Sequence, residues 1–161
     1  MTPIPSLVLV TDRHATEGRE LVAVVTAALD AGLPAVQLRE KDLPGRQLLE
    51  IAEQLRTATA RTGALLLVND RIDVALAVGA DGVHLGGTSV PVAVARSLVG
   101  PAALAAAVGA AAVPVLAIGG ITVRQVPAVR AAGAAGVAVI RAILGAPDPA
   151  AATRKLVATL V

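Results

Sequence analysis

Short apolar runs alternate with amphipathic stretches along the whole chain. Leu7–Val10, Ala35–Leu38, Leu65–Val68, Gly82–Leu85, Val113–Ile118 and Val137–Ile140 are rich in Val, Leu and Ile. Runs of this length read as strands covered on both faces. Between them the period changes. Leu21, Val24, Val25, Ala28 and Leu29 recur at helical spacing, and Gly32 stands where a helix C-terminus belongs. Leu48, Ile51, Ala52 and Leu55 repeat the pattern. Ile72, Ala75 and Leu76 give a shorter version closed by Gly79.

Helix starts are legible too. Asp70 precedes Arg71-Ile72-Asp73 as an N-cap would, Thr122 with Gln125 has capping-box spacing, and Asp148-Pro149 pairs an N-cap with a first-turn proline. Pro127 falls about one turn into its helix, where a missing N–H matters, so an irregular first turn is expected. Strand and helix alternating without interruption predict an α/β fold with a parallel sheet and right-handed crossovers. Six βα units are readable. No linker or change of composition divides the chain, so residues 1–161 are expected to form one domain.

Composition narrows the function. The chain has 161 residues, 55% of them hydrophobic, and a formal net charge of +2. Disorder is excluded by that apolar content. With no Lys/Arg-rich run, so small a surplus does not carry nucleic-acid binding. Phe, Tyr, Trp and Cys are all absent. That removes base-stacking platforms, aromatic cages, disulfides, thiolate chemistry and cysteine-based metal sites. No apolar stretch reaches the length of a membrane span, and Met1–Ser6 lacks the pattern of a signal peptide. A cytoplasmic location is expected, with no membrane partner; a homo-oligomer is left open.

The polar residues gather after the strands. Thr11-Asp12-Arg13 follow the first, Arg39-Glu40-Lys41-Asp42 the second, Asn69-Asp70-Arg71 the third, His84 ends the fourth, Gly119-Gly120 follow the fifth and Arg141 the sixth. In a parallel sheet these positions share one mouth, where α/β proteins bind ligands. Arg39 and Lys41, two residues apart, point to one side of an extended segment and suit a phosphate or pyrophosphate. The plain alternative is a solvated loop paired with Glu40 and Asp42. Asn69-Asp70 offer an amide and a carboxylate for a metal, or a simple helix cap. His84 reads more as a packed, hydrogen-bonded residue than as a catalyst. Gly119-Gly120, between a strand and a helix start, make a phosphate nest or an ordinary tight turn.

As an ordered set, these segments resemble one family. Gln37-Leu38-Arg39-Glu40-Lys41-Asp42, Val68-Asn69-Asp70-Arg71-Ile72-Asp73-Val74-Ala75-Leu76 and Gly79-Ala80-Asp81-Gly82-Val83-His84-Leu85-Gly86 are similar to thiamine phosphate synthases. Pro114 to Ile121 and Ala132 to Ile140 continue the likeness in order. The resemblance implies a (β/α)8 TIM barrel. It implies the joining of hydroxymethylpyrimidine pyrophosphate to a thiazole phosphate, giving thiamine phosphate and pyrophosphate. Gln37 would then face the pyrimidine, and Arg39, Lys41 and Asn69 would hold the pyrophosphate. Asp70 would bind Mg²⁺, and Gly119, Gly120, Ile140 and Arg141 would meet the thiazole phosphate. Arg39 and Lys41 would be catalytic, stabilising the departing charge without any protein nucleophile.

The chain departs from the family at three points. Ser89 stands where the family has a second acidic metal ligand. Arg141 replaces a serine near the last strand. The chain is also short by two strands and a helix, including a loop that carries a phosphate-binding lysine in the family. The shortfall is expected near Pro101, with Ala102–Val113 as the helix that follows it. Six units do not close an eight-stranded barrel. An incomplete barrel or a longer polypeptide is therefore expected. Ser89 also fits the TenI-like thiazole tautomerases, so a tautomerase and a non-catalytic thiazole-phosphate binder are the alternatives.

Overall fold

The computed structural model describes residues 5–86, 89–90, 94 and 116–160. The first half runs β1 (Leu7–Val10), a 3-10 turn (Arg13–Ala15), α1 (Leu21–Asp30), β2 (Ala35–Leu38), α2 (Gly45–Thr62), β3 (Leu65–Asn69), α3 (Ile72–Val78) and β4 (Gly82–His84). The second half runs β5 (Leu116–Ile118), α4 (Val126–Ala131), β6 (Gly136–Val139), α5 (Arg141–Leu144) and α6 (Pro149–Leu160). The expected strands are present within a residue or two. Val113–Val115, the Ala102–Val113 helix and the break expected near Pro101 lie outside the described residues.

All six strands are parallel, in the order β4-β3-β2-β1-β6-β5. This order identifies the architecture. The first strand pairs with the second and also with the last, so the chain advances in one direction around the sheet. A doubly wound sheet reverses direction at its middle and places helices on both faces. Uniform right-handed crossovers place every helix on the same face, which is the arrangement of a barrel. Among the described residues, β4 and β5 each have one strand neighbour, so the sheet is a partial barrel.

Burial follows that geometry. Leu7, Leu9, Val36, Leu38, Leu66, Val68, Val83, Val137 and Val139 point outward and form one core with the helices. Inward-pointing Val8, Val10, Ala35 and Ala138 form a second, smaller core, fringed by Leu65, Leu116 and Ile140. With no aromatic side chain to fill the interior, small and branched residues do so. Ile118 also lies on the inner face, at the end of β5, and is 63% exposed.

The helix ends show why the elements stop and start where they do. Glu20 caps α1, its carboxylate accepting the Val22 and Ala23 N–H groups at 2.9 and 2.7 Å. Asp148 accepts the Ala151 N–H at 2.9 Å ahead of Pro149, as expected. The Thr122–Gln125 pair forms half of a capping box. Gln125 Oε1 accepts from the Thr122 N–H at 2.8 Å and from the Thr122 hydroxyl at 2.5 Å. The helix proper then starts at Val126, so Pro127 sits in its first turn after an irregular entry. Two expectations need correction. Asp70 does not cap α3: Arg71 holds the cap position and makes no capping side-chain bond. The buried positions of α3 are Val74 and Ala75, whereas Leu76 is 51% exposed. No helix among the described residues is long and apolar enough to cross a membrane.

The start of β6 is held against the chain before β1. The Val137 N–H donates to the Ser6 carbonyl at 2.9 Å. A Cβ at Gly136 would lie 2.7 Å from the Ser6 carbonyl carbon. Only glycine permits this approach, because the obstacle is backbone. Gly136→Ala is therefore expected to destabilise the fold by ~1–3 kcal/mol, the usual cost of overpacking. Urea denaturation checks this; an unchanged midpoint would show that the β1–β6 junction yields easily.

Candidate active site

Because the strands are parallel, every polar cluster lies at the same mouth. Two cavities open there, on either side of β1. The first, about 270 Å³, lies over β2 and β3 and is lined by Leu38, Arg39, Glu40, Lys41, Leu43, Leu48, Asn69, Asp70 and Arg71. The second, about 280 Å³, lies over β5 and β6. Its lining includes Asp12, Ile118, Gly119, Gly120, Thr122, Ile140 and Arg141.

Arg39 and Lys41 reach the first cavity from the end of β2. The strand end is fixed by Thr11, a fully buried residue whose hydroxyl accepts the Arg39 N–H at 2.9 Å. Lys41 and Asp42 are exposed, but the pairing that the solvated-loop alternative implies is not made. Glu40 and Asp42 do not pair with these cations. Both bond instead to Arg13, which follows β1. Glu40 accepts the Arg13 backbone N–H with both oxygens at 3.1 Å and the guanidinium at 3.4 Å. Asp42 takes two contacts from the same guanidinium, one of them at 2.6 Å, and a third from His14 Nε2 at 3.0 Å. The Arg13 guanidinium, helped by His14, holds the Asp42 carboxyl well below its ordinary range. Among the described residues, Arg39 and Lys41 make no ion pair.

Across the cavity, Asp70 has φ +60°, in the left-handed region that few residues other than glycine adopt. Its N–H donates to the His84 carbonyl at 2.9 Å, tying the turn to β4. This conformation releases its carboxylate from helix capping and turns it toward the mouth. The Ser89 hydroxyl donates to Asp70 Oδ1, and the Asn69 amide donates to Oδ2 at 2.8 Å. Hydrogen bonding, the Ser89 hydroxyl foremost, lowers the Asp70 pKa against a smaller opposing effect of burial. His84 Nδ1 lies 3.1 Å from Asn69 Oδ1 and orients that amide, the packed role expected of it. Arg71 lines the cavity but is bound by Asp73 at 2.8 and 2.6 Å. Gln37 is buried on the inner face of β2, one turn of the pleat below Arg39, and lines neither cavity.

The second cavity is built mainly of backbone. Gly119 and Gly120 have φ of +116° and +60°, and nothing lies within 4 Å of where their Cβ atoms would stand. Their value is therefore conformational and leaves the main chain open to a ligand. Arg141 adds a cation at the same place. The structure thus brings together Arg39, Lys41, Asn69 and Asp70 on one side, and Gly119, Gly120, Ile140 and Arg141 on the other, with Ser89 joined to Asp70. Thr11, Asp12 and Arg13 lie at the mouth, as their position directly after a strand implied, but their individual roles were not foreseen.

For a divalent cation the donors are Asp70 and the Ser89 hydroxyl. Among the described residues, no group of three or more His, Cys, Asp or Glu gathers around a metal position. Mg²⁺ commonly uses one or two carboxylates and completes its shell with water and substrate phosphates. A single carboxylate beside two free cations fits a cation that arrives with a phosphorylated ligand.

Comparison with known proteins bears on this geometry. The family model described as thiamine monophosphate synthase matches residues 7–110 and 97–143. The two segments overlap across the stretch where the shortfall is expected. A putative thiamine-phosphate synthase of Geobacter sulfurreducens is 45% identical over 200 residues, covering 96% of this chain and 94% of the relative. Since 96% of 161 is about 155, about 45 of those aligned positions have no residue here. A thiamine-phosphate synthase of Roseiflexus castenholzii is 40% identical, covering 96% and 89%. The solved structure of thiamine phosphate pyrophosphorylase from Pyrococcus furiosus superposes with a TM-score of 0.86 at 32% identity, covering 96% of this chain and 95% of that one. KGPDC from Streptococcus mutans, at 12% identity and a TM-score of 0.63, shares the fold alone. The chain belongs to the thiamine monophosphate synthase family.

Proposed function

We propose that the chain is a thiamine-phosphate synthase. It joins hydroxymethylpyrimidine pyrophosphate to a thiazole phosphate, releasing pyrophosphate. The observation that carries this reading is the pair Arg39 and Lys41, free of ion pairs among the described residues and converging on the cavity that holds Asn69 and Asp70. The pyrophosphate group lies there, and the thiazole phosphate lies against Gly119, Gly120 and Arg141. The two reactants then meet over β1, above the inward-facing Gln37.

The bond from the pyrimidine methylene to the pyrophosphate oxygen breaks, and its electron pair leaves with the pyrophosphate. The thiazole nitrogen lone pair forms the new carbon–nitrogen bond. No protein nucleophile is required. Negative charge grows on the leaving group, and Arg39 and Lys41 stabilise it from fixed positions. Asn69, oriented by His84, adds an amide beside the same anion. Mg²⁺ held by Asp70 would supply further neutralisation of the pyrophosphate. The left-handed Gly119-Gly120 backbone and Arg141 hold the thiazole phosphate and orient the ring nitrogen. The phosphorylated substrates and the absence of cysteine support a cytoplasmic setting.

The purified chain, given both precursors and Mg²⁺, is expected to form thiamine phosphate and pyrophosphate in equal amounts. Arg39→Ala is expected to lower kcat by about 100-fold or more, in line with the loss of a fixed donor to a developing anion. A chain that isomerises thiazole carboxylate phosphate and ignores the pyrimidine is a tautomerase. One that binds thiazole phosphate and turns over neither substrate is a binding protein. Gly120→Ala is expected to raise KM for the thiazole phosphate with little change for the pyrimidine substrate, measured by varying each in turn. Equal effects on both would place the thiazole phosphate elsewhere. Chelation of Mg²⁺ with EDTA is expected to abolish turnover, and re-addition to restore it.

A further inference from the structure

The segment after β2 reads Arg39-Glu40-Lys41-Asp42, two cations alternating with two acids. Opposite charges this close along one loop offset one another's field, so that a ligand would meet a nearly neutral surface. The structure separates them. Glu40 belongs to the cavity lining, yet its side chain is only 1% exposed and is taken up by Arg13 rather than by its cationic neighbours. A carboxylate removed from water this far is tolerated when it is paired and hydrogen-bonded. Arg13 supplies both, through its backbone N–H and its guanidinium. The same guanidinium reaches Asp42.

We propose that Arg13 is a positioning residue that sequesters the two acids of this loop, so that Arg39 and Lys41 face the ligand with undiminished charge. This rests on the reading of the first cavity as the pyrophosphate site. The geometry matches the task. A guanidinium has a planar fork that can engage two carboxylates at once, where an ammonium is a point charge. Arg13 lies outside the cavity lining, so it acts through the loop rather than on the ligand. Without its guanidinium, Glu40 would keep only the backbone N–H and Asp42 would keep only His14 as a side-chain partner, leaving two under-compensated carboxylates in the loop that carries Arg39 and Lys41. The site would then lose attraction for anions although its own residues were intact.

Inorganic pyrophosphate, titrated by calorimetry into the full chain, is the probe. Arg13→Ala is expected to weaken its binding by about tenfold, because two carboxylates are released beside the site. Adding Glu40→Gln and Asp42→Asn to Arg13→Ala is expected to restore most of the affinity, since the amides keep the shape and remove the charge. A residue that merely held the loop would not be rescued by deleting its partners. Should Arg13→Ala fail to fold, Arg13→Lys and its combination with Asp42→Asn make the same comparison, because lysine cannot span both acids. Arg61→Ala, which breaks an exposed pair with Asp30 on the helical face, is the control expected to bind as the wild type does. Unchanged binding in the Arg13 variants, or a combined variant as weak as the single one, overturns the proposal. A wild-type chain that neither binds pyrophosphate nor forms product overturns the synthase reading instead.

Discussion

The pairing of β1 with both β2 and β6 is the constraint on which the rest of this molecule depends. Leu9 is opposite Val36 on one side and Val139 on the other. Once the first strand lies between the second and the last, the direction of travel around the sheet is set. Every helix falls on the outer face, and every strand ends at the same mouth. The separation of the two cores follows as well. Val8 and Val10 belong to the interior, while Leu7 and Leu9 belong to the layer beneath the helices. A slip of one residue would exchange those sets. The cavities over β2–β3 and over β5–β6 stand on either side of this strand because nothing else separates them.

Much of this was legible from local pattern. The strands are runs that avoid charge and favour branched residues, since both their faces are covered. Leu7–Val10 and Ala35–Leu38 match the expected bounds. The clustering of polar residues after the strands pointed to the mouth for a topological reason, without any need to know side-chain positions. The family's motifs then distributed roles among Arg39, Lys41, Asn69 and Asp70, and the structure gathers those residues around one cavity.

What stayed hidden depends on distance along the chain. Glu40 looks like a surface acid between two cations, and its burial is decided by Arg13, which lies 27 residues away in sequence. Asp70 has every local feature of a helix cap. Its left-handed backbone is held by the carbonyl of His84 on the neighbouring strand, which no local rule foresees. Leu76 fits the helical period, yet burial in a seven-residue helix depends on which neighbours cover it. In each case the local preference was real and a tertiary contact decided the outcome.

The neighbourhood of β1 and β6 has a consequence for how the protein is made. Leu7 is paired with Val137, so during synthesis β1 waits for β6, far along the chain, before its second edge is covered. Over that interval β1, β2 and β3 can associate, because the helices between them bring each strand back beside the one before. The free edge of β1 and the outer apolar side chains destined for α6 remain open to other chains. Contacts so distant in sequence slow folding and lengthen exposure to aggregation. The mouth is divided in the same way, since its first cavity comes from the N-terminal strands and its second from the C-terminal ones. A nascent chain can thus acquire the cationic half of the site well before the glycine-lined half exists. Synthesis must pass β6 before the two can act on a common pair of substrates.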